Sequence, residues 1–130
     1  MKKLTQLFEL IQITRTQQQY GYALGGLKKH ELSNLAEHHY LVTFIAWQLA
    51  KYLELQGVKI DTLKVLEISM LHDIGELFGG DISRHYALAN PKARRLAKAF
   101  ESENQRFINT FLDLKRKESK EIWSEIMQPR

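Results

Sequence analysis

The chain has 130 residues, 44% hydrophobic and 26% charged, with 7 Gly and 2 Pro, a balance that excludes a disordered or fibrous protein and allows one buried core. Nineteen Lys and Arg against 15 Asp and Glu leave a net charge of +4, which suits an anionic ligand without naming one. Cysteine is absent, so disulfides, thiolate metal sites and cysteine nucleophiles are excluded, and any metal must be held by imidazole and carboxylate.

Leu4, Leu7, Phe8 and Ile11 recur at helical spacing and predict a first helix from Leu4 to about Ile13. The polar stretch from Arg15 to Lys29, with Gly21, Gly25 and Gly26 among Tyr20, Tyr22 and Leu24, reads as a loop long enough to suggest a function. A second helix is expected from a Ser33 or Asn34 cap, with Glu37 close behind, to about Gln56 before Gly57. Its Leu41, Val42, Ile45, Leu49 and Leu53 form one apolar stripe. Asp61 caps a third helix to roughly Leu77, with Leu63, Leu66, Met70, Ile74 and Leu77 as its buried face and Gly79-Gly80 as its end. A turn or short helix from Asp81 to Leu88 leads to Asn90-Pro91, and further helices are predicted over Ala93–Leu114 and Ser119–Met127.

No segment alternates with period two, so the expected fold is all-α, a single-domain bundle of about five to six helices over residues 1–130. Thr43, Gln48, Lys51 and Glu54 interrupt the longest apolar stretch, Leu41 to Leu55, which argues against a membrane span. Thr5, Gln6 and Glu9 stand where a signal peptide needs an unbroken apolar run, so the expected compartment is the cytoplasm.

His38 lies one turn before Val42, in line with the apolar stripe, and is expected to point inward. On the third helix Ser69, His72 and Glu76 follow a line beside the apolar face, with Asp73 next to His72, and the small Ser69 and Gly75 leave room for a ligand. Two imidazoles and a carboxylate on neighbouring helices make a nitrogen/oxygen shell suited to Mn, Fe, Co, Ni or Zn. Such an ion activates water for attack on phosphorus or carbon, and Glu76 is placed to steer that water or move its proton. Taken singly, each residue has a plainer reading: His38 as a satisfied core histidine, Glu76 as a solvated helix end, Asp81 as a turn residue or cap.

Three elements occur in order within residues 10–127: Leu35-Ala36-Glu37-His38, then Leu71-His72-Asp73-Ile74-Gly75-Glu76, then Gly80-Asp81-Ile82. Together they resemble the HD-domain metal-dependent phosphohydrolase superfamily, in particular its 5′-deoxynucleotidase-like branch. The resemblance implies a helical HD fold and one divalent ion (Mn, Co, Fe, Ni, Zn or Mg) held by His38, His72 and Asp73. It assigns Glu76 and Asp81 to the handling of water or substrate, and gives Arg15 the place of an upstream arginine that holds the substrate's phosphate. The activity it implies is a phosphomonoesterase acting on nucleoside monophosphates or similar small phosphates. His39 is then expected to be exposed or to stand behind the ligands.

The family completes its metal shell with a second aspartate on a helix after the region resembling Ala93 to Met127, and here only Gln128-Pro129-Arg130 follow. The fourth ligand is therefore expected to be missing. Asp113 is the nearby substitute, although Lys115, Arg116 and Lys117 after it favour a solvated role. Apolar surface left by a missing helix favours a homodimer. Two other readings stand beside the phosphomonoesterase: a degenerate, non-catalytic HD domain that binds a nucleotide or protein partner, and an HD phosphodiesterase. The two-metal members of the latter add histidines, and only His30, His39 and His85 remain unassigned. Nucleic-acid binding is not expected, because Arg94-Arg95 and Lys115 to Lys117 lack interleaved aromatics.

Overall fold

A computed structural model describes residues 1–19 and 28–127, the Lys29 side chain excepted. Among them are six α-helices and no strand, in agreement with the all-α expectation. They are α1 (Lys2–Ile11), α2 (Leu35–Leu55), α3 (Thr62–Leu71), α4 (Arg84–Ala89), α5 (Pro91–Asn109) and α6 (Arg116–Ile126). Tighter 3₁₀ turns cover Gln12–Arg15, Lys29–Glu31 and Ile74–Phe78. Most of the expected long loop, residues 20–27, lies outside the described residues. No helix among the described residues is long and apolar enough to cross a membrane.

Helix starts follow the capping residues. Asn34 Oδ1 accepts from the Glu37 N–H at 2.8 Å while the Glu37 carboxylate accepts from the Asn34 N–H at 3.3 Å, a reciprocal box that opens α2. Asp61 caps α3 through the Lys64 N–H, Ser83 caps α4 through the Tyr86 N–H, and Asn90 caps α5 through the Ala93 N–H with Pro91 in the first turn. The chain before α2 is tied to its start, since the Leu35 N–H donates to the Gln17 carbonyl and the Gln19 N–H to the Ser33 carbonyl.

Three expectations need correction. The third helix does not run to Leu77: it stops at Leu71, Asp73 leaves helical geometry (φ −109°, ψ 14°), and the chain resumes as the tight turn Ile74–Phe78. Nor is its expected face buried throughout, because Leu63 and Met70 are exposed while Ile74 and Leu77 are fully covered. On α2 the stripe of Leu41, Ile45 and Leu49 is exposed, and the buried positions are Leu35, His39 and Ala50. The reason is that apolar residues occur on every side of α2 between Leu41 and Leu53, so hydrophobicity alone does not choose which side meets α3.

The core lies where the turn Ile74–Phe78 meets α5. Ile74, Leu77 and Ile108 form its buried centre, and Leu10, Ile13, Leu71, Leu112 and Trp123 close around it. Gly75 permits this approach: a Cβ there would stand 2.8 Å from the Glu101 carbonyl oxygen and 2.9 Å from Gln105 Cγ. Its small size therefore serves the packing of α5 and does not leave room for a ligand. Asn104, buried on α5, donates to the Gly75 carbonyl at 2.8 Å and fixes the turn from the other side. Gly75→Ala is expected to overpack this contact and cost about 1–3 kcal/mol. Urea unfolding should show a lower midpoint at unchanged helix content; a midpoint equal to the parent's would contradict the close approach.

Candidate metal centre

His38 sits in the second turn of α2, and His72 and Asp73 occupy the break between α3 and the following 3₁₀ turn. In an unbroken helix successive side chains diverge by about 100°, so adjacent residues do not aim at one point. The departure at Asp73 removes that divergence. His38 Nε2 and His72 Nε2 each lie 3.1 Å from Asp73 Oδ2, and 3.3 Å from one another. All three groups are half-buried.

The tautomer of His72 gives this cluster its meaning. Its Nδ1 is 2.7 Å from the Ser69 carbonyl oxygen, an acceptor only, so Nδ1 carries the proton. In the neutral ring Nε2 then presents a lone pair toward the Asp73 carboxylate and toward His38. Positive charge among the three atoms relieves that repulsion, and a ligating histidine held by its other nitrogen on a backbone carbonyl is the usual arrangement around a metal. The spacing fits as well. Donor atoms around a first-row ion at about 2.0–2.2 Å stand about 3.0–3.5 Å apart, and the three separations here fall inside that range.

His39 is not exposed but stands beside the ligands, the second of its two expected placements. It is buried, with its ring centroid 5.3 Å from that of His72 and 6.0 Å from that of His38, and its Nε2 is buried without a hydrogen-bond partner. Its position on α2, one residue beyond His38, coincides with the line that faces α3. Burial, then the neighbouring His72, pull its pKa down to about 4, so near neutrality it is an uncharged neighbour of the cluster. Two consecutive histidines on a helix already read as close to another helix were the signal available in the sequence.

Asp73 is pulled both ways: burial pushes its carboxyl up, but positive charge on His72, whose protonated ring also donates to it, and then on His38 holds it below the ordinary value. Glu76 moves in the opposite sense, up to about 8, chiefly through burial and then through repulsion from Asp73, Asp81 and Glu101, with Lys98 opposing. Glu76 and Asp81 line one cavity of about 170 Å³, together with Arg94, Lys98 and Glu101 from α5. The contribution of α5 was not read from the sequence. Its signal is helical spacing, Arg94, Lys98 and Glu101 lying three or four residues apart around the small Ala97.

Two further candidates stand apart from the cluster. Arg15 is exposed, donates to Gln12 Oε1 one turn back at 3.2 Å, and neither lines the Glu76 cavity nor acts on Asp73. Asp113 is exposed and pairs with Lys3 at 3.5 Å. Among the described residues no fourth His, Asp or Glu joins the trio.

An all-α chain with two imidazoles and a carboxylate converging from two packed helices defines a candidate metal-binding helical domain. The family model of the HD domain matches residues 14–128, and the chain belongs to that family. No curated protein and no solved structure matches it.

Calorimetric titration with Mn²⁺ or Zn²⁺ should show Asp73→Asn and His72→Ala weakening binding by more than the roughly 10–100-fold that follows loss of a supporting partner. Asp113→Asn should bind as the parent does. The Glu76 pKa has a second consequence, because the native state holds a proton there that the unfolded state releases near pH 4.5. Between those values the native state binds more protons than the unfolded one, so stability contributed by Glu76 falls as pH rises toward about 8. Metal-free Glu76→Gln should therefore lose part of the decline in stability between pH 6.5 and 8; an unchanged slope would contradict the raised pKa.

Proposed function

We propose that the protein is a metal-dependent phosphohydrolase acting on a nucleoside monophosphate or a similar small phosphate ester. The observation that carries this reading is the convergence of His38 Nε2, His72 Nε2 and Asp73 Oδ2 within 3.3 Å of one another, in a chain of the HD-domain family, whose members are usually metal-dependent hydrolases. These three residues would hold one divalent ion. Bound there, the ion supplies positive charge that polarises a phosphoryl oxygen and acidifies water.

The remaining work falls to the chain's own groups. Glu76, with a pKa pushed toward neutrality, is suited to take the proton of the water that attacks phosphorus. With an ion held at Asp73 the Glu76 carboxyl would titrate lower and serve as the base. As the new P–O bond forms, the bond to the ester oxygen breaks, and the leaving oxygen takes up the proton that Glu76 removed from the water. Asp81 lies in the same cavity and orients water or substrate by accepting hydrogen bonds, while Arg94 and Lys98 supply the positive charge that attracts a phosphate. At about 170 Å³ the cavity is smaller than a usual ligand pocket. It suits the phosphoryl end of a substrate whose remainder lies outside. Arg15 does not line this cavity, and its part in holding the phosphate rests on the family resemblance alone.

A second reading, an HD domain that binds a nucleotide without turning it over, draws support from one observation. The trio has no fourth protein ligand among the described residues, and Asp113 is engaged elsewhere. Phosphate release from a panel of deoxynucleoside monophosphates and sugar phosphates, measured with Mn²⁺, Co²⁺ or Mg²⁺, decides between them. Hydrolysis should fall by about 10²–10⁴-fold in Glu76→Gln with metal affinity retained. Nucleotide binding without any release would select the non-catalytic reading, and faster cleavage of a diester than of a monoester would select a phosphodiesterase.

A further inference from the structure

A cavity of about 600 Å³ opens where the end of α5, the loop after it and α6 meet, and its size falls within the roughly 300–1,000 Å³ of small-molecule sites. None of its residues lines the Glu76 cavity or belongs to the trio of His38, His72 and Asp73. Leu112, Leu114, Trp123 and Met127 supply its apolar surface, and Arg116 and Lys120 its charge.

Charge is sorted along α6. The cavity-lining positions 116, 119, 120, 123, 124 and 127 recur every three or four residues and share one stripe of the helix, beside the buried Ile122 and Ile126. Asp113, Glu118, Glu121 and Glu125 belong to the same stretch of chain, yet no carboxylate lines the cavity. Arg116 and Lys120 are like charges one turn apart, an unfavourable pairing on a helix. Neither forms an ion pair among the described residues. An anion between them relieves the repulsion.

Asn109 adds directional donors. An indole N–H only donates, so the atom that Trp123 Nε1 meets at 2.6 Å is the amide oxygen of Asn109, which also accepts from Ser119 Oγ at 3.0 Å. With Oδ1 so engaged, the amide N–H₂ of Asn109, itself a cavity-lining residue, is left without an acceptor among the described residues. The same bond holds the Trp123 ring, which packs against the core of Ile74, Leu77 and Ile108. An apolar surface that includes a fixed indole suits an aromatic body.

We propose that this cavity is a second ligand site, for a small organic anion that sets a carboxylate, phosphate or phosphonate group between Arg116 and Lys120 and an aromatic body against Trp123. The proposal does not rest on any reading of catalysis at the metal centre.

Phenylphosphonate, an aromatic dianion with no ester bond to hydrolyse, is the probe, titrated into the full chain kept free of metal with EDTA. In a Trp47→Phe background Trp123 is the one indole left, and its emission should change saturably with a dissociation constant of about 1 mM or tighter. Calorimetry on the parent chain reads the same binding without that substitution. Arg116→Ala combined with Lys120→Ala should weaken it by about tenfold or more. Lys92→Ala combined with Arg95→Ala removes the same two charges from exposed positions on α5 and should bind as the parent does. All four side chains are exposed, so neither variant disturbs the core. No saturation at millimolar concentration by either readout overturns the proposal. So does an equal loss in the two double variants, or inorganic phosphate binding as tightly as phenylphosphonate, which would leave the apolar surface without a part.

Discussion

Two imidazole nitrogens and a carboxylate oxygen held within 3.3 Å of one another repel unless a proton or a cation lies among them, and the local structure is organised around that constraint. The Ser69 carbonyl holds the proton of His72 on Nδ1 and thereby turns the lone pair of Nε2 inward. The same requirement accounts for the end of α3. A continuous helix would send His72 and Asp73 in different directions, so the backbone leaves helical geometry at Asp73 and tightens into the turn Ile74–Phe78.

That break is stabilised by packing on its far side. Ile74 and Leu77 are buried against Ile108, Gly75 lets α5 approach to contact distance, and Asn104 donates to the Gly75 carbonyl. The core and the site therefore share one short segment, with core residues and site residues alternating along it. Glu76 illustrates the consequence: lying between buried neighbours and near Asp73, Asp81 and Glu101, it carries a carboxyl displaced toward neutrality. Displacement of this kind is what proton transfer near pH 7 requires. It arises here from burial and like charge, without any special chemistry in the residue.

Some of this was legible in the sequence for identifiable reasons. Asn34 and Asp61 are short polar residues ahead of apolar runs, and each caps a helix. His38, His72 and Asp73 could be grouped because imidazole and carboxylate were the only strong metal donors in a cysteine-free chain, and because their flanking residues resemble a known pattern. Other features were not legible. The side of α2 that faces α3 could not be read from periodicity in a helix with apolar residues on every side, which is why Leu41, Ile45 and Leu49 were expected inside. The interruption after Leu71 leaves no local mark, since Leu-His-Asp-Ile-Gly-Glu continues the apolar spacing of α3. Contacts with α5 hold the turn, and they involve residues about thirty positions away.

Whether the charge that reconciles the three donor atoms is a divalent cation is the central claim, and anomalous scattering from crystals of the protein as purified, with elemental analysis of the same sample, tests it most directly. The account predicts a stoichiometric first-row metal and a single anomalous peak about 2.0–2.3 Å from His38 Nε2, His72 Nε2 and Asp73 Oδ2. A sample free of metal even after incubation with Mn²⁺, Zn²⁺ and Co²⁺, with the three residues joined only by hydrogen bonds through a protonated histidine, would contradict it.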